Sequence, residues 1–348
     1  MPAGLVLMVV GVALVLAMLL NAPATLRKSN GKVDNPAWRT AVAERVNDVS
    51  SFFGLDRARN AADEALGKNQ TSDADIDEVV AEAGVDEELA DPEADRVPVV
   101  ATPTEAAPIT LYVGGDSMAD GLAATLSRLA GGTRLFVVSA DGRVSTGLSR
   151  PDFFNWPEHL ARDIDDLDGL SPDVAVLLFG ANDLQNIPLA TGAYVVGTQE
   201  WLDEYRRRVG GTMDLMRSGD DDRMTFWLGM PPMGPGSSID NTTVEQVNHI
   251  VWSEAQSRPW ITYVDTWSYF AGPDGAYADE LPYADGQARN SRAGDEIHME
   301  QVGYERMAWA VMDHITEVVD VSANPPEPAP GQQPPADLVE RSEVPAPG

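Results

Sequence analysis

The chain has 348 residues, an ordinary hydrophobic fraction of 43% and a formal net charge of -31. That charge disfavours nucleic acid and anionic membrane surfaces as partners, because both are polyanions. The absence of cysteine excludes disulfides, thiolate zinc sites, a cysteine nucleophile and an N-terminal lipidated cysteine.

Residues 3–20 are uncharged and almost wholly apolar. That is about the minimum length of a transmembrane helix and longer than most signal-peptide cores. Ala22-Pro23-Ala24 is a poor cleavage site because of its proline, so residues 1–24 read as an uncleaved anchor. Arg27, Lys28 and Lys32 follow the helix, and the positive-inside rule would then keep the domain inside. We expect instead a basic segment upstream of this start and an extracytoplasmic domain, which suits the chemistry argued below. Residues 25–70 carry spaced apolar positions, Trp38, Val42, Val46, Val49, Phe52, Phe53, Leu55 and Leu66 among them, and predict one or two juxtamembrane amphipathic helices. Residues 71–107 are rich in Asp, Glu, Ala and Pro and read as an acidic disordered linker. The proline-rich stretch 323–348 reads as a disordered tail.

One domain, 108–322, lies between them. Its apolar runs at 109–113, 135–138, 174–179, 224–230 and 261–264 predict five strands. Helical patterns alternate with them at 118–130, 157–167, 199–216, 243–255 and 301–319. Strands that are apolar throughout and alternate with helices predict a parallel sheet covered on both faces. The expected fold is therefore a three-layer α/β/α sandwich of flavodoxin type, with any site at the carboxyl ends of the strands.

Four loops fall at that rim. Gly114-Gly115-Asp116-Ser117 follows the first strand and opens a helix. A serine held there can act as a nucleophile, but Asp-Ser ahead of a helix is equally an N-cap. The loop 140–148, which contains Gly142 and Gly147, follows the second strand, and Gly180-Ala181-Asn182-Asp183 follows the third. Each can be an ordinary turn. Asp295-x-x-His298 precedes the last helix and lacks the further ligands a metal site would need. The other histidines, His159, His249 and His314, lie within helical patterns and read as structural.

The four blocks in this order resemble the SGNH (GDSL-like) hydrolase superfamily. Ser145-Thr146-Gly147-Leu148, the run from Arg150 to Trp156, Gly229-Met230-Pro231-Pro232-Met233 and Tyr263-Val264-Asp265-Thr266-Trp267 resemble a membrane-anchored domain-of-unknown-function branch of it. The resemblance implies that Ser117 is the nucleophile, His298 the base and Asp295 its orienter. It implies an oxyanion hole from the Ser117 N–H, the Asn182 amide and the Gly147 N–H, with Gly142 as the fallback. The chain departs from the usual pattern at Glu296, where glycine is commoner, and at Met299-Glu300.

A serine hydroxyl needs an imidazole to take its proton, and the imidazole needs a carboxylate to hold its tautomer. The expected activity is that of a serine esterase, with no cofactor and no metal. Its expected substrate is an acyl ester, O-acetyl for preference, on a cell-envelope glycan. Phe153, Phe154, Trp156, Trp201 and Trp267 are candidates for a sugar-binding rim, against the plainer reading that most are core. The competing functions are an acyltransferase using the same acyl-serine, a non-catalytic glycan-binding module, and a phosphate cradle at the helix start. The last lacks a lysine or arginine in its loop.

Overall fold

The computed structural model describes residues 75–85, 102–164, 171–189, 192–217, 223–327 and 333–346. The expected anchor and juxtamembrane helices lie outside these residues. Among the described residues no helix is long and apolar enough to cross a membrane.

The described elements, in chain order, begin with helix α1 (Ile76–Glu82), strand β1 (Ile109–Gly115), helix α2 (Ser117–Leu129), strand β2 (Phe136–Gly142) and helix α3 (Trp156–Asp163). Strand β3 (Val174–Leu178), the two-residue strands β4 (Ile187–Pro188) and β5 (Ala193–Tyr194), and helix α4 (Gln199–Leu215) follow. Then come β6 (Met224–Leu228), α5 (Asn241–Ala255), β7 (Ile261–Val264) and the short α6 (Thr266–Phe270). Strands β8 (Glu280–Pro282) and β9 (Ala288–Asn290) and helix α7 (Gln301–Val318) complete the order. Two compact units result. The larger takes in the described residues of 74–148, 156–184 and 202–348, and the smaller the described residues 149–155, 185–189 and 192–201.

In the larger unit the five apolar runs form one sheet of order β2-β1-β3-β6-β7, with every neighbouring pair parallel. All five residues of β3, the central strand, are buried. The chain leaves β1 toward β2 on one side and β3 toward β6 on the other, and the right-handed rule for parallel crossovers then assigns the connecting helices to opposite faces. The order reverses between β1 and β3, which opens a crevice at their carboxyl ends. The smaller unit contains the antiparallel β4–β5 pair, with Asn186 Oδ1 accepting from Val196 N at 3.0 Å.

Described parts of two segments expected to be disordered, residues 75–85 and 333–346, are packed in the larger unit. Within the acidic stretch, Ile76 and Val79 of α1 are buried against Leu215 of α4, with Val80 alongside. Their spacing is that of a helical apolar stripe, which the acidic average of the stretch conceals. Asp75 caps α1 by accepting from Asp77 N at 3.0 Å and pairs with Arg207. Residues 333–346 are fastened by side chains, with no helix or strand among them. Arg341 donates from Nη2 and Nε to the two oxygens of Asp265 at 2.9 and 3.1 Å, Glu340 accepts from Asp265 N at 3.0 Å, and Val344 is buried.

Asp265 is 1% exposed, so Arg341→Ala leaves a buried carboxylate without its counter-charge. Because Arg341 is itself 23% exposed, the expected loss is about 2–3 kcal/mol rather than the larger cost of breaking a fully buried pair. For a domain of this size that is roughly 5–10 °C in melting temperature, read by thermal denaturation of the full chain.

Candidate active site

Gly115 ends β1 with φ +143°, and a Cβ there would overlap the carbonyl oxygen of Leu178 in β3. Only glycine lets the two strands close this tightly at the crevice. Asp116 then caps α2, its Oδ1 accepting from Met118 N at 2.9 Å. Ser117 is the first residue of the helix, half-buried, with its hydroxyl at the crevice. The first N–H groups of a helix have no partner within it, so the turn presents backbone donors beside the serine.

His298 arrives on a loop closed at its base by a bridge between Arg292 and Met299 and by Ala293 N donating to His298 O at 2.9 Å. At its tip Asp295 Oδ1 accepts from the backbone N–H groups of Ile297 and His298 at 3.1 and 3.0 Å. This folds the chain back within three residues, so that Asp295 Oδ2 lies 2.6 Å from His298 Nδ1. His298 Nε2 lies 2.8 Å from Ser117 Oγ. A carboxylate on Nδ1 fixes the tautomer with its proton there and leaves Nε2 to accept the serine proton. Burial pushes the Asp295 carboxyl up, but the His298 ring and the two backbone N–H groups outweigh it and hold the group below its ordinary value.

Asn182 follows β3 and is half-buried. Its Nδ2 donates to Asp116 Oδ2 at 3.3 Å, which uses one of the two amide hydrogens and fixes the direction of the other. The structure therefore brings together Ser117, His298, Asp295 and Asn182, and joins Asp116 to them. Asp116 reads from sequence as structural rather than catalytic, because the bond to Asn182 spans 66 residues and no spacing announces it.

The two glycine candidates differ. Gly142 ends β2, and a Cβ there would overlap the backbone of Asp120 in α2. Gly147 is buried, and a Cβ there would overlap Asp183 Oδ1, whose carboxylate accepts from Tyr205 Oη at 3.0 Å. Asp183 adjoins Asn182, so Gly147→Ala is expected to displace the Asn182 amide through its neighbour. The expected cost is about 1–3 kcal/mol of stability from overpacking together with a fall in kcat, checked by melting temperature and by turnover.

The aromatic rim is corrected by burial. Trp156 and Trp201 are 0% exposed and Trp267 is 7% exposed, and each indole N–H already has an acceptor, at Thr146 Oγ1, Gln185 O and Gly275 O respectively. These are core tryptophans whose one polar atom is satisfied internally. Phe154 is also buried, and Phe153 alone is exposed, at 52%. The remaining histidines are engaged elsewhere: His159 lies between Asp141 and Asp163, His249 Nδ1 is 3.3 Å from Val344 O, and His314 Nε2 is 3.2 Å from Glu340.

The family model for DUF459, a protein of unknown function, matches residues 110–314, more than half of the chain. The chain belongs to the DUF459 family. A domain-of-unknown-function branch is what the motifs led one to expect. None of the curated proteins matches it. Among solved structures it is similar to a carbohydrate esterase family 3 protein from Talaromyces cellulolyticus, with 13% identity, a TM-score of 0.41, and coverage of 62% of this chain and 99% of that one. It is also similar to an α/β hydrolase enzyme from the metagenome of Lake Arreo, Spain, with 18% identity, a TM-score of 0.40 and coverage of 60% and 96%. A third is a peptidoglycan O-acetylesterase, with 14% identity, a TM-score of 0.37 and coverage of 54% and 47%.

Proposed function

We propose that this DUF459 chain is a serine esterase that cleaves an acyl ester, with O-acetyl on a cell-envelope glycan as the preferred substrate class. The observation that carries the reading is the continuous hydrogen-bond line from Ser117 Oγ through His298 to Asp295, at 2.8 and 2.6 Å. In the proposed reaction Nε2 of His298 takes the Ser117 proton as Oγ attacks the ester carbonyl carbon. The oxyanion that forms is stabilised by the side-chain amide of Asn182 and the N–H at the start of α2. His298 then returns the proton to the departing alcohol oxygen, and water hydrolyses the acyl-serine by the same steps in reverse.

The glycan preference rests on location. An anchor at residues 1–24 and an extracytoplasmic domain would put the site beside envelope polysaccharide. The half-buried serine at an open crevice supports attack on a substituent that projects from a larger molecule.

The test is fluorophosphonate labelling of the full chain, followed by hydrolysis of a chromogenic acetyl ester and of an O-acetylated oligosaccharide. Stoichiometric labelling that disappears in Ser117→Ala is expected, with acetate released from both substrates. Labelling that persists in Ser117→Ala would remove the serine from the mechanism. Turnover that appears only on addition of an acceptor sugar would replace hydrolysis by acyl transfer.

A further inference from the structure

The motif Gly229-Met230-Pro231-Pro232-Met233 and the departure at Glu296 are two sequence features that the reaction above does not use. The structure joins them. The loop after β6 is held rigidly from two sides. Asn248 of α5 accepts from Met230 N at 2.7 Å and donates to Met230 O at 2.8 Å. Asn241 does the same for Met233, at 2.7 and 2.8 Å. Thr266 Oγ1 donates to Gly229 O at 2.5 Å. Two side-chain amides that each bind both polar groups of one residue leave this segment little freedom, since each bond is part of a fixed ring.

The loop that carries His298 is bound to that segment at three points. Glu296 Oε2 accepts from Gly236 N at 2.5 Å, and Glu296 O accepts from Gly234 N at 3.1 Å. Arg292 donates from Nη2 to Pro232 O at 2.5 Å and from Nη1 to Ile297 O at 3.0 Å, so one guanidinium bridges the fixed segment and the residue before His298. Arg292 is 2% exposed and lies between the rings of Phe270 and Tyr277, with its Nε unbonded. A buried cation satisfied by backbone carbonyls is a costly way to fill space, and a planar fork is what two carbonyls at a fixed separation require. Glu296 has φ +59°, a left-handed conformation that a non-glycine residue adopts only when its surroundings impose it. A glycine would sit there without strain but would give up the bond to Gly236.

We propose that the 229–236 segment is a fixed platform for the base, and that Glu296 and Arg292 are positioning residues that clamp the Asp295–His298 turn to it. This rests on His298 acting as the base of Ser117. In the clamp, Glu296 sets the tip of the turn and Arg292 sets its base. Together they hold Nε2 at bonding distance from Ser117 while the loop remains half-exposed.

The experiment compares Glu296→Gly, Glu296→Gln and Arg292→Met in the full chain. Glu296→Gly relieves the left-handed strain and removes the side-chain bond to Gly236, leaving the backbone bond to Gly234 and the Arg292 bridge. It is expected to keep or raise the melting temperature while lowering kcat about tenfold with KM little changed. Glu296→Gln retains an oxygen acceptor for Gly236 N and is expected to recover kcat to within about threefold of the parent. Arg292→Met is expected to lower kcat at least as far as Glu296→Gly.

A second readout stands apart from turnover: the downfield proton resonance of His298 Nδ1–H, identified by its loss in Asp295→Asn. It is expected to be sharp in the parent and in Glu296→Gln, and broadened in Glu296→Gly. If the parent hydrolyses no ester but this pattern of resonances appears, the clamp stands and the esterase reading falls. A Glu296→Gly chain with parental kcat and a sharp resonance overturns the clamp whatever the reaction is.

Discussion

Ser117→Ala is expected to lower kcat for ester hydrolysis on the order of 10⁴- to 10⁶-fold, with a folded protein left behind. The magnitude follows from the way nucleophile and base act as one unit, so that losing either removes the covalent route entirely. His298→Ala should fall as far, and the double variant hardly further. Asp295→Ala should cost less, because Asp295 is 48% exposed and water can partly replace its carboxylate on Nδ1. The residual rate, roughly 10³-fold over water, belongs to the oxyanion donors and to binding. Steady-state kinetics on an acetyl ester for the three single variants and the double variant gives the pattern directly. Additive losses in the double variant would show that Ser117 and His298 do not act in one step.

Most strands are legible because each is a short, largely apolar run with no competing period; β2 is the exception, continuing through Ser139-Ala140-Asp141-Gly142 past its expected end at 138 with only Phe136 buried. All five residues of β3 are buried, so its run from Val174 to Leu178 has no polar interruption. The same property makes a parallel sheet with its site at the carboxyl ends of the strands an expectation, and with it the convergence of Ser117 and Asn182 on one rim; the crevice between β1 and β3 comes from the observed strand order. His298 lies 181 residues from Ser117 and was placed by its position just before the last helix. What stayed hidden depends on partners distant in sequence. Arg341 has meaning only through Asp265, 76 residues away, and a basic residue in a proline-rich tail carries no local sign of it. Arg292 and Glu296 each reach across 60 residues to one loop, and neither backbone partner has a side chain that could be read. The tryptophans failed as a rim for a simpler reason. Aromatic residues near a site serve core and surface alike, and only the accessible area separates the two.

Asp116→Asn is expected to separate stability from activity. Burial is the largest influence on the Asp116 carboxyl, and it raises the pKa from an ordinary 3.8 to about 7. The Met118 N–H opposes that rise, the neighbouring Asp183 charge adds to it, and Asn182 and His298 again oppose it. The folded chain therefore holds a proton that the unfolded chain has lost between pH 3.8 and about 7. The stability this contributes is complete below the lower value and is lost as pH rises through the upper one. A rise of that size corresponds to roughly 4 kcal/mol at most. Asparagine at this position cannot ionise, so the variant should lose this slope and at pH 8 should be more stable than the parent by about 2–4 kcal/mol. Urea denaturation at several pH values between 5 and 8 measures it, and stability curves that run parallel for parent and variant would count against the assignment. Activity should move the other way. When the new amide oxygen caps Met118 N, the amide hydrogens turn toward Asn182 Nδ2, and two donors then face each other where Asp116 accepted at 3.3 Å. Asn182 must rotate away, and partial loss of one oxyanion donor is expected to lower kcat about 10- to 100-fold with KM little changed. The buried Asp116 carboxylate beside Ser117 is thus expected to weaken the fold above neutral pH while holding the Asn182 amide in place.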